Sequence, residues 1–436
     1  MKHTHSTLLL LTALLFFSCQ KDDATPGDSS LETAPNILLI IADDMGLDAC
    51  PGYDVGGIKP NMPTLQSLIQ SGIRFNNLWS NPTCSPTRAS IITGKYGFRT
   101  GVSRVGDDLA TTEKSLFSLL DEKTNNTYSH AVIGKWHLST DVNHTNDMGV
   151  GYYAGLLSGA VKSYWNWDLT RNGQTTASTQ YTTTHFTDLA IDWVSTQTKP
   201  WFLWLAYNAP HTPFHLPPDD LHYQGDLPSD EASIEANPLP YYMAMLEALD
   251  SELGRLLNTL SEEARANTVV IFIGDNGSPN QVTQEYNSQR VKGSLYQGGV
   301  NVPLIVSGKG VTRMNQTEDA LISTTDLFST IVDLAGTGIT QMHDSESFKS
   351  LLSSGHMESR EYVYSEIGHA DGLSSYAIRN STHKYIYFQE GSEALYNLSL
   401  NPFEKPNLLH ENQLPLSATD EAMKMELLEA LKGIRE

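Results

Sequence analysis

Asn36-Ile37-Leu38-Leu39-Ile40-Ile41-Ala42-Asp43-Asp44 is the stretch on which the fold turns. Its apolar run has no polar alternation, the pattern of a strand buried on both faces in a mostly parallel sheet. Runs of the same kind recur at His130-Ala131-Val132-Ile133-Gly134, Trp201-Phe202-Leu203-Trp204-Leu205-Ala206, Thr268-Val269-Val270-Ile271-Phe272-Ile273 and Val302-Pro303-Leu304-Ile305-Val306. Between them, Tyr242, Met245, Leu246, Leu249, Leu253, Leu256 and Leu257 are spaced by threes and fours, as on one face of a helix. Strands alternating with helices predict an α/β fold, a large mostly parallel mixed sheet sandwiched by helices. After about residue 355 the segments shorten to Ser375–Arg379, His383–Tyr387 and Ala394–Tyr396, then an amphipathic run from about Thr419 to Leu431. That predicts a small C-terminal antiparallel sheet with a closing helix. The main α/β domain is therefore placed at 35–355 and a C-terminal α+β subdomain at 356–436.

A chain of 436 residues can bury a sizeable core and a deep site. Its 28 Lys+Arg against 50 Asp+Glu give a net charge of −22, which argues against nucleic acid or an anionic membrane surface as partner. Any anionic substrate must meet a local cluster of positive groups. Lys2 precedes an apolar run from Leu8 to Phe17, too short to span a bilayer and typical of a signal peptide, here residues 1–18. The run ends in Phe16-Phe17-Ser18-Cys19, which resembles a bacterial lipoprotein cleavage box, with Cys19 as the lipidated residue; ordinary signal-peptide cleavage is the alternative. The polar segment Gln20 to Glu32 reads as a flexible tether within residues 19–34. The expected protein is exported and lipid-anchored to the bacterial envelope, at the periplasmic or cell-surface face of the outer membrane, with membrane contact through the anchor only. Of three cysteines, a lipidated Cys19 would leave only Cys50 and Cys84 able to pair. A free Cys84 in an oxidising compartment calls for an explanation.

Ligands of open α/β sheets collect at the carboxyl ends of strands. Asp43-Asp44 ends one strand and Asp275-Asn276-Gly277 another, so four hard oxygen donors converge without a histidine cluster. Such a set suits Ca²⁺, or Mg²⁺, better than zinc. Each pair alone has a plainer reading, a turn or a helix cap. Cys84-Ser85-Pro86-Thr87-Arg88-Ala89-Ser90, continuing to Thr93-Gly94, carries proline near a helix start and glycine near its end. Cys84 would sit at the positive end of that helix, with Arg88 one turn along on the same face. Lys135 and His137 follow one strand and His211 another; with Lys292 they supply the local positive charge that the chain otherwise lacks.

The string Cys84-x-Pro86-x-Arg88 resembles the modification signature of the type I, formylglycine-dependent sulfatases of the alkaline phosphatase-like superfamily. The resemblance extends, in order, through Asp43-Asp44, Gly134-Lys135-Trp136-His137-Leu138, Ala209-Pro210-His211-Thr212-Pro213, Gly274-Asp275-Asn276-Gly277, and Lys292-Gly293 before Gly298-Gly299. Leu395-Tyr396-Asn397-Leu398 with Asn401-Pro402 and Asn407-Leu408 looks like the family's C-terminal subdomain. It implies that 35–355 is the catalytic domain, that a maturation enzyme converts Cys84 to formylglycine, and that Asp43, Asp44, residue 84, Asp275 and Asn276 hold the cation. It further implies covalent catalysis by a hydroxyl of the hydrated aldehyde attacking sulfur. Arg88 and Lys135 would stabilise developing charge, His211 and Lys292 resemble the groups that protonate the leaving oxygen, and His137 resembles the base that expels sulfate.

Two features depart from the family's pattern. Where relatives commonly carry Glu-Gly-Gly-x-Arg-Val-Pro, this chain reads Gln297-Gly298-Gly299-Val300-Asn301-Val302-Pro303, a loss of charge expected to bear on support around the site. The stretch Tyr152 to Tyr181, with Trp165 and Trp167, matches no assigned segment; its aromatics would either stack on sugar rings or pack a loop. A phosphoric ester or phosphonate hydrolase of the same superfamily is the nearest rival. A cysteine phosphatase would want arginine at position 90, which is serine. A lipoprotein that captures sulfated glycans without turnover would have no use for the modification signature. The anchor and the signature together resemble polysaccharide-degradation systems, so the expected substrate is a sulfated glycan such as ulvan, carrageenan, fucoidan or a glycosaminoglycan.

Overall fold

The computed structural model describes residues 1, 34–355 and 360–436. The leader, Cys19 and the tether lie outside the described residues. Residues Ala34–Glu436 form one compact unit. Its main sheet uses β1 (Asn36–Ala42), β2 (Gly72–Trp79), β3 (Ser129–Lys135), β4 (Tyr152–Leu156), β5 (Trp167–Arg171) and β6 (Gln174–Ser178). It continues with β7 (Trp201–Tyr207), β8 (Thr268–Gly274), β9 (Asn301–Gly308), β10 (Gln316–Glu318) and β11 (Ile322–Ser323). The order is β10-β2-β9-β8-β1-β7-β3-β4-β5-β6, with β11 also pairing with β2. The centre, β8-β1-β7-β3-β4, is parallel. β9 runs antiparallel to both β8 and β2, and β5 and β6 form an antiparallel hairpin on the far edge.

The sequence strands therefore hold, and the mixed character comes from β9 and the edge hairpin. Every residue of β1, β7 and β8 is buried, because both faces are covered. Ile37, Leu39 and Ile41 face one apolar layer with Ala89, Ile91 and Ile92 and with Leu327, Phe328, Ile331 and Val332. Leu38, Ile40 and Ala42 face the other, with Phe186, Leu189 and Ala190 and the helix Leu239–Thr259. The period-two alternation of side chains along each strand feeds these two layers. Among the described residues no helix is long and apolar enough to cross a membrane.

A two-stranded ribbon, β12 (Gln341–Met342) and β13 (Ser345–Glu346), precedes the C-terminal sheet. That sheet is antiparallel, in the order β14 (Val363–Gly368), β15 (Ser374–Arg379), β16 (His383–Tyr387) and β17 (Glu393–Asn397). One face packs on Trp79, Leu295 and Val300, and the other is closed by Leu427 and Leu431 of the helix Ala418–Arg435. Ser417 caps that helix by accepting from the Asp420 N–H. β14 escaped the sequence reading because Val363-Tyr364-Ser365-Glu366-Ile367 mixes buried polar and apolar residues.

Candidate active site

Strand register assembles the site. Ala42 of β1 pairs with Tyr207 of β7 and Gly274 of β8, so Asp43, Asn208 and Asp275 leave the sheet at one edge. Gly134 pairs with Ala206, which brings Lys135 to the same edge. β2, two antiparallel steps from β8, also points its carboxyl end there and leads to Cys84.

Cys84 is the first residue of the helix Cys84–Thr93, after Thr83 in extended backbone at φ −143° and ψ 162°. The Thr87 hydroxyl donates to the Thr83 carbonyl at 3.1 Å, tightening this first turn. Gly94 ends the helix at φ 66°, a left-handed position that suits glycine. All ten helix residues are buried. Arg88, one turn on, donates through Nη2 to Asp275 Oδ2 at 2.8 Å and through Nη1 to the Lys135 carbonyl at 2.6 Å.

The acidic groups are each met by a cation: Lys135 Nζ lies 2.6 Å from Asp43 Oδ2, Lys292 Nζ 2.6 Å from Asp44 Oδ2, and Arg88 holds Asp275. Asp44 has φ 72°, and its N–H donates to Asp275 Oδ1 while its carbonyl accepts from the Tyr242 hydroxyl. Asn276 Nδ2 donates to Asp44 Oδ1 at 2.8 Å. Burial, partly countered by Lys135, pushes the Asp43 carboxyl up to about 6. Burial would also raise Asp44, but Lys292, His211 and Lys135 outweigh it and hold that carboxyl at about 2.

The thiol of Cys84 lies 3.1 Å from His137 Nδ1. Burial raises the thiol's pKa, and burial together with Lys135, Arg88, His211 and Lys292 pushes the His137 imidazole down to about 2. Both shifts favour the neutral forms of thiol and imidazole, and a neutral thiol is a poor nucleophile. Cys50 is buried and unpaired, so no disulfide links it to Cys84. Gly159 rests on the His137 ring: a Cβ there would fall 2.3 Å from Cε1 and Nε2. His211 Nδ1 lies 2.8 Å from the Thr212 carbonyl, which can only accept, so Nδ1 carries the proton. Its Nε2, 3.7 Å from Asp44 Oδ2, is left toward the cleft. The Gly293 N–H donates to the Pro82 carbonyl at 2.8 Å, tying the Lys292 loop to the segment that leads into Cys84.

Cys84, Arg88, Lys135, His137, His211, Lys292, Asp43, Asp44, Asp275 and Asn276 thus gather at one edge. Asp44, Thr83, Thr212, Gln281 and Lys292 line the cleft above them, about 460 Å³ in volume. The donor set fits a hard divalent cation. Asp43 Oδ1 and Asn276 Oδ1 are buried without a hydrogen-bond partner, an expensive state that a cation would relieve. His211 also lies close enough to Asp43 and Asp44 to join a metal-holding trio, which the sequence reading did not include.

Sequence reasoning missed the residues that support these groups. Tyr164 shares its hydroxyl proton between the carbonyls of Asn208, at 2.9 Å, and His211, at 2.6 Å. It belongs to the unassigned stretch, as does Gly159, and neither carries a local motif. Within that stretch Trp167 is buried against Phe186, whereas Trp165 is exposed. Gln297 accepts from Trp79 Nε1, and Asn301 donates to the Asn76 carbonyl, so both altered positions brace the sheet's edge.

The family model described as Sulfatase matches residues 35–337, and that described as N-sulphoglucosamine sulphohydrolase, C-terminal, matches 290–433. The uncharacterized sulfatase YdeN of Escherichia coli is 28% identical over 73% of this chain, and the match spans 65% of YdeN. A sulfatase of Formosa agariphila is 27% identical over 96% of this chain and 90% of its own length. Among solved structures, Ps i-CgsB in complex with k-i-k-neocarrahexaose superposes with a TM-score of 0.76 at 24% identity, covering 91% of this chain and 92% of that one. BT4656 in complex with D-glucosamine-2-N,6-O-disulfate gives 0.75 at 19% identity, covering 92% and 98%. With a family model spanning well over half of its length, this chain belongs to the sulfatase family.

Proposed function

We propose that this protein is an exported, lipid-anchored sulfuric ester hydrolase that removes sulfate from a sulfated polysaccharide or oligosaccharide. The observation that carries the reading is the buried edge where three cations, three carboxylates and two unpartnered oxygens surround residue 84. Asp43, Asp44, Asp275 and Asn276 would hold a calcium or magnesium ion, which would supply charge that acidifies a hydroxyl at position 84 and attracts sulfate oxygens. Formylglycine, made from Cys84 by a maturation enzyme, would supply the hydrated aldehyde whose hydroxyl is the nucleophile.

The remaining work falls to side chains in place. Lys135 and Lys292 present ammonium groups to the sulfate. Arg88 fixes Asp275 and the Lys135 backbone, so the carboxylate and the lysine keep their register. His211, protonated on both ring nitrogens, gives its Nε2 proton to the leaving alcohol oxygen, and His137 Nδ1, 3.1 Å from residue 84, takes one from that residue's hydroxyl. A sulfated glycan as substrate is supported by the structural relatives solved with a carrageenan hexaose and with a disulfated glucosamine. In a chain of net charge −22, the gathering of Arg88, Lys135 and Lys292 at this edge supports an anionic group delivered to one point.

The test is expression with a maturation enzyme, peptide mass spectrometry across residue 84, and sulfate release from 4-nitrophenyl sulfate and from carrageenan, ulvan, fucoidan and glycosaminoglycan oligosaccharides. A mass lower by about 18 units than the cysteine peptide, with turnover abolished by Cys84→Ala, is expected for a formylglycine nucleophile. An unmodified thiol together with full turnover would overturn the mechanism; turnover of the aryl sulfate alone would overturn the glycan.

A further inference from the structure

Next to the catalytic cleft lies a second cavity, about 480 Å³, that the chemistry at residue 84 does not use. Lys162, Trp165, Phe214, Glu231, Glu235 and Gln281 line it. Gln281 also lines the catalytic cleft, and Thr212 of that cleft is followed directly by Pro213 of this cavity, so the two spaces are neighbours. The volume lies in the range of about 300–1,000 Å³ typical of small-molecule sites, more than a sulfate group needs.

The loop between β4 and β5 builds this cavity and the catalytic site together. Gly159 backs the His137 ring, Tyr164 is bonded to the carbonyls of Asn208 and His211, and Trp165 follows Tyr164. Trp165 is 39% exposed although it is held from behind: its ring centroid is 5.0 Å from that of Tyr181 and 5.0 Å from that of His215. His215 is itself fixed. Its Nδ1 donates to the Pro213 carbonyl, so its Nε2 accepts from the Tyr181 hydroxyl at 3.0 Å. A rigidly supported indole with an open side costs little entropy when a flat ligand covers it.

We propose that Trp165 is the platform of a sugar subsite, on which the residue joined to the sulfated sugar stacks while its neighbour's sulfate sits between Lys135 and Lys292. The inference rests on the glycan reading above and names the side chain that selects among glycans. The surroundings are those of a carbohydrate site. An indole takes the C–H face of a pyranose, and Gln281, Glu231 and Glu235 accept or donate to hydroxyls. Lys162 at the rim suits a second anionic substituent. Trp167, two positions on, is buried in the layer behind and has no such role.

The test uses Trp165→Ala and Trp165→Phe in the full, matured protein, with the oligosaccharides named above and 4-nitrophenyl sulfate. Trp165→Ala is expected to raise KM for the preferred oligosaccharide at least tenfold with a smaller effect on kcat. Its loss on the aryl sulfate should be several-fold less, and Trp165→Phe should recover most of the affinity. Equal losses on both substrates overturn the subsite and leave the sulfatase reading intact. Calorimetric binding of the same oligosaccharides to unmatured protein reports on the platform without turnover: equal affinities in wild type and Trp165→Ala overturn it. Oligosaccharides that neither bind nor turn over while the aryl sulfate is hydrolysed overturn the glycan reading, and the platform with it.

Discussion

Replacing Arg88 with methionine removes the guanidinium that joins Asp275 to the Lys135 carbonyl, all fully buried. Asp275 keeps only the Asp44 N–H, and Asp43 Oδ1, 4.0 Å from Arg88 Nη2, loses the nearest charge on its unpartnered side. Breaking a buried ion pair from one side costs about 3–5 kcal/mol, because the surviving charge stays desolvated. An unfolding entropy of about 2.1 cal/mol/K per residue gives about 0.8 kcal/mol/K for a fold of about 400 residues. Arg88→Met should therefore lower Tm by about 4–6 °C, measured by calorimetry in EDTA so that no divalent ion masks the exposed charge. Adding Asp275→Asn removes the stranded carboxylate and should restore about half of the loss. A single variant within about 1 °C of wild type, or a double variant no better than the single, would refute the claim that Arg88 neutralises this carboxylate.

Three further outcomes follow from the same geometry. Burial, against the Pro213 hydrogen bond, holds His215 at about 4 where an unfolded imidazole has 6.5; its contribution is full above pH 6.5 and lost as the pH falls toward 4. That is about 3 kcal/mol, so the Tm gap between wild type and His215→Gln should shrink by about 4 °C from pH 7 to pH 4; a constant gap contradicts it. Gly159→Ala should push the His137 ring aside and lower kcat about tenfold with little change in Tm, whereas unchanged kcat would show that the close approach is immaterial. Calcium at about 100 times its Kd should raise Tm by about 3 °C. Asp43→Asn should abolish that rise, and a rise that survives the substitution would place the ion elsewhere.

The central strands were legible because full burial writes itself as an unbroken apolar run: Asn36–Ala42 is both the sequence segment and β1. The site residues were legible for a related reason. Asp43, Lys135, His211 and Asp275 lie at or just after strand ends and Cys84 opens a helix, and the parallel register of Ala42, Gly134, Ala206 and Gly274 turns these separate motifs into neighbours. What stayed hidden depends on contacts far apart in the chain. β6, Gln-Thr-Thr-Ala-Ser on the exposed edge, has no apolar signature. Trp165 and Trp167 look alike in sequence, yet Trp167 opens β5 and is buried, whereas Trp165 lies in the loop before that strand and lines the cavity. The antiparallel course of β9 is equally silent, because Val302-Pro303-Leu304-Ile305-Val306 would be buried in either direction.

The charge arrangement explains how so acidic a chain can serve an anionic substrate. In the structure Lys135, Lys292 and Arg88 are matched one to one with Asp43, Asp44 and Asp275, so the edge is close to neutral. Of the three cations, Arg88 is locked by two short bonds and total burial, whereas Lys292 is partly exposed on a loop facing the cleft. A divalent ion on the carboxylates would make the edge positive and release the lysines from their acidic partners. The sulfate would then find ammonium groups that are otherwise occupied. Cation and sulfate binding would thus be coupled through the same two lysines, and coupling of this kind acts equally in both directions. Surface charge elsewhere can stay strongly negative without penalty, because at physiological salt it is screened within about 8 Å while the buried edge is not.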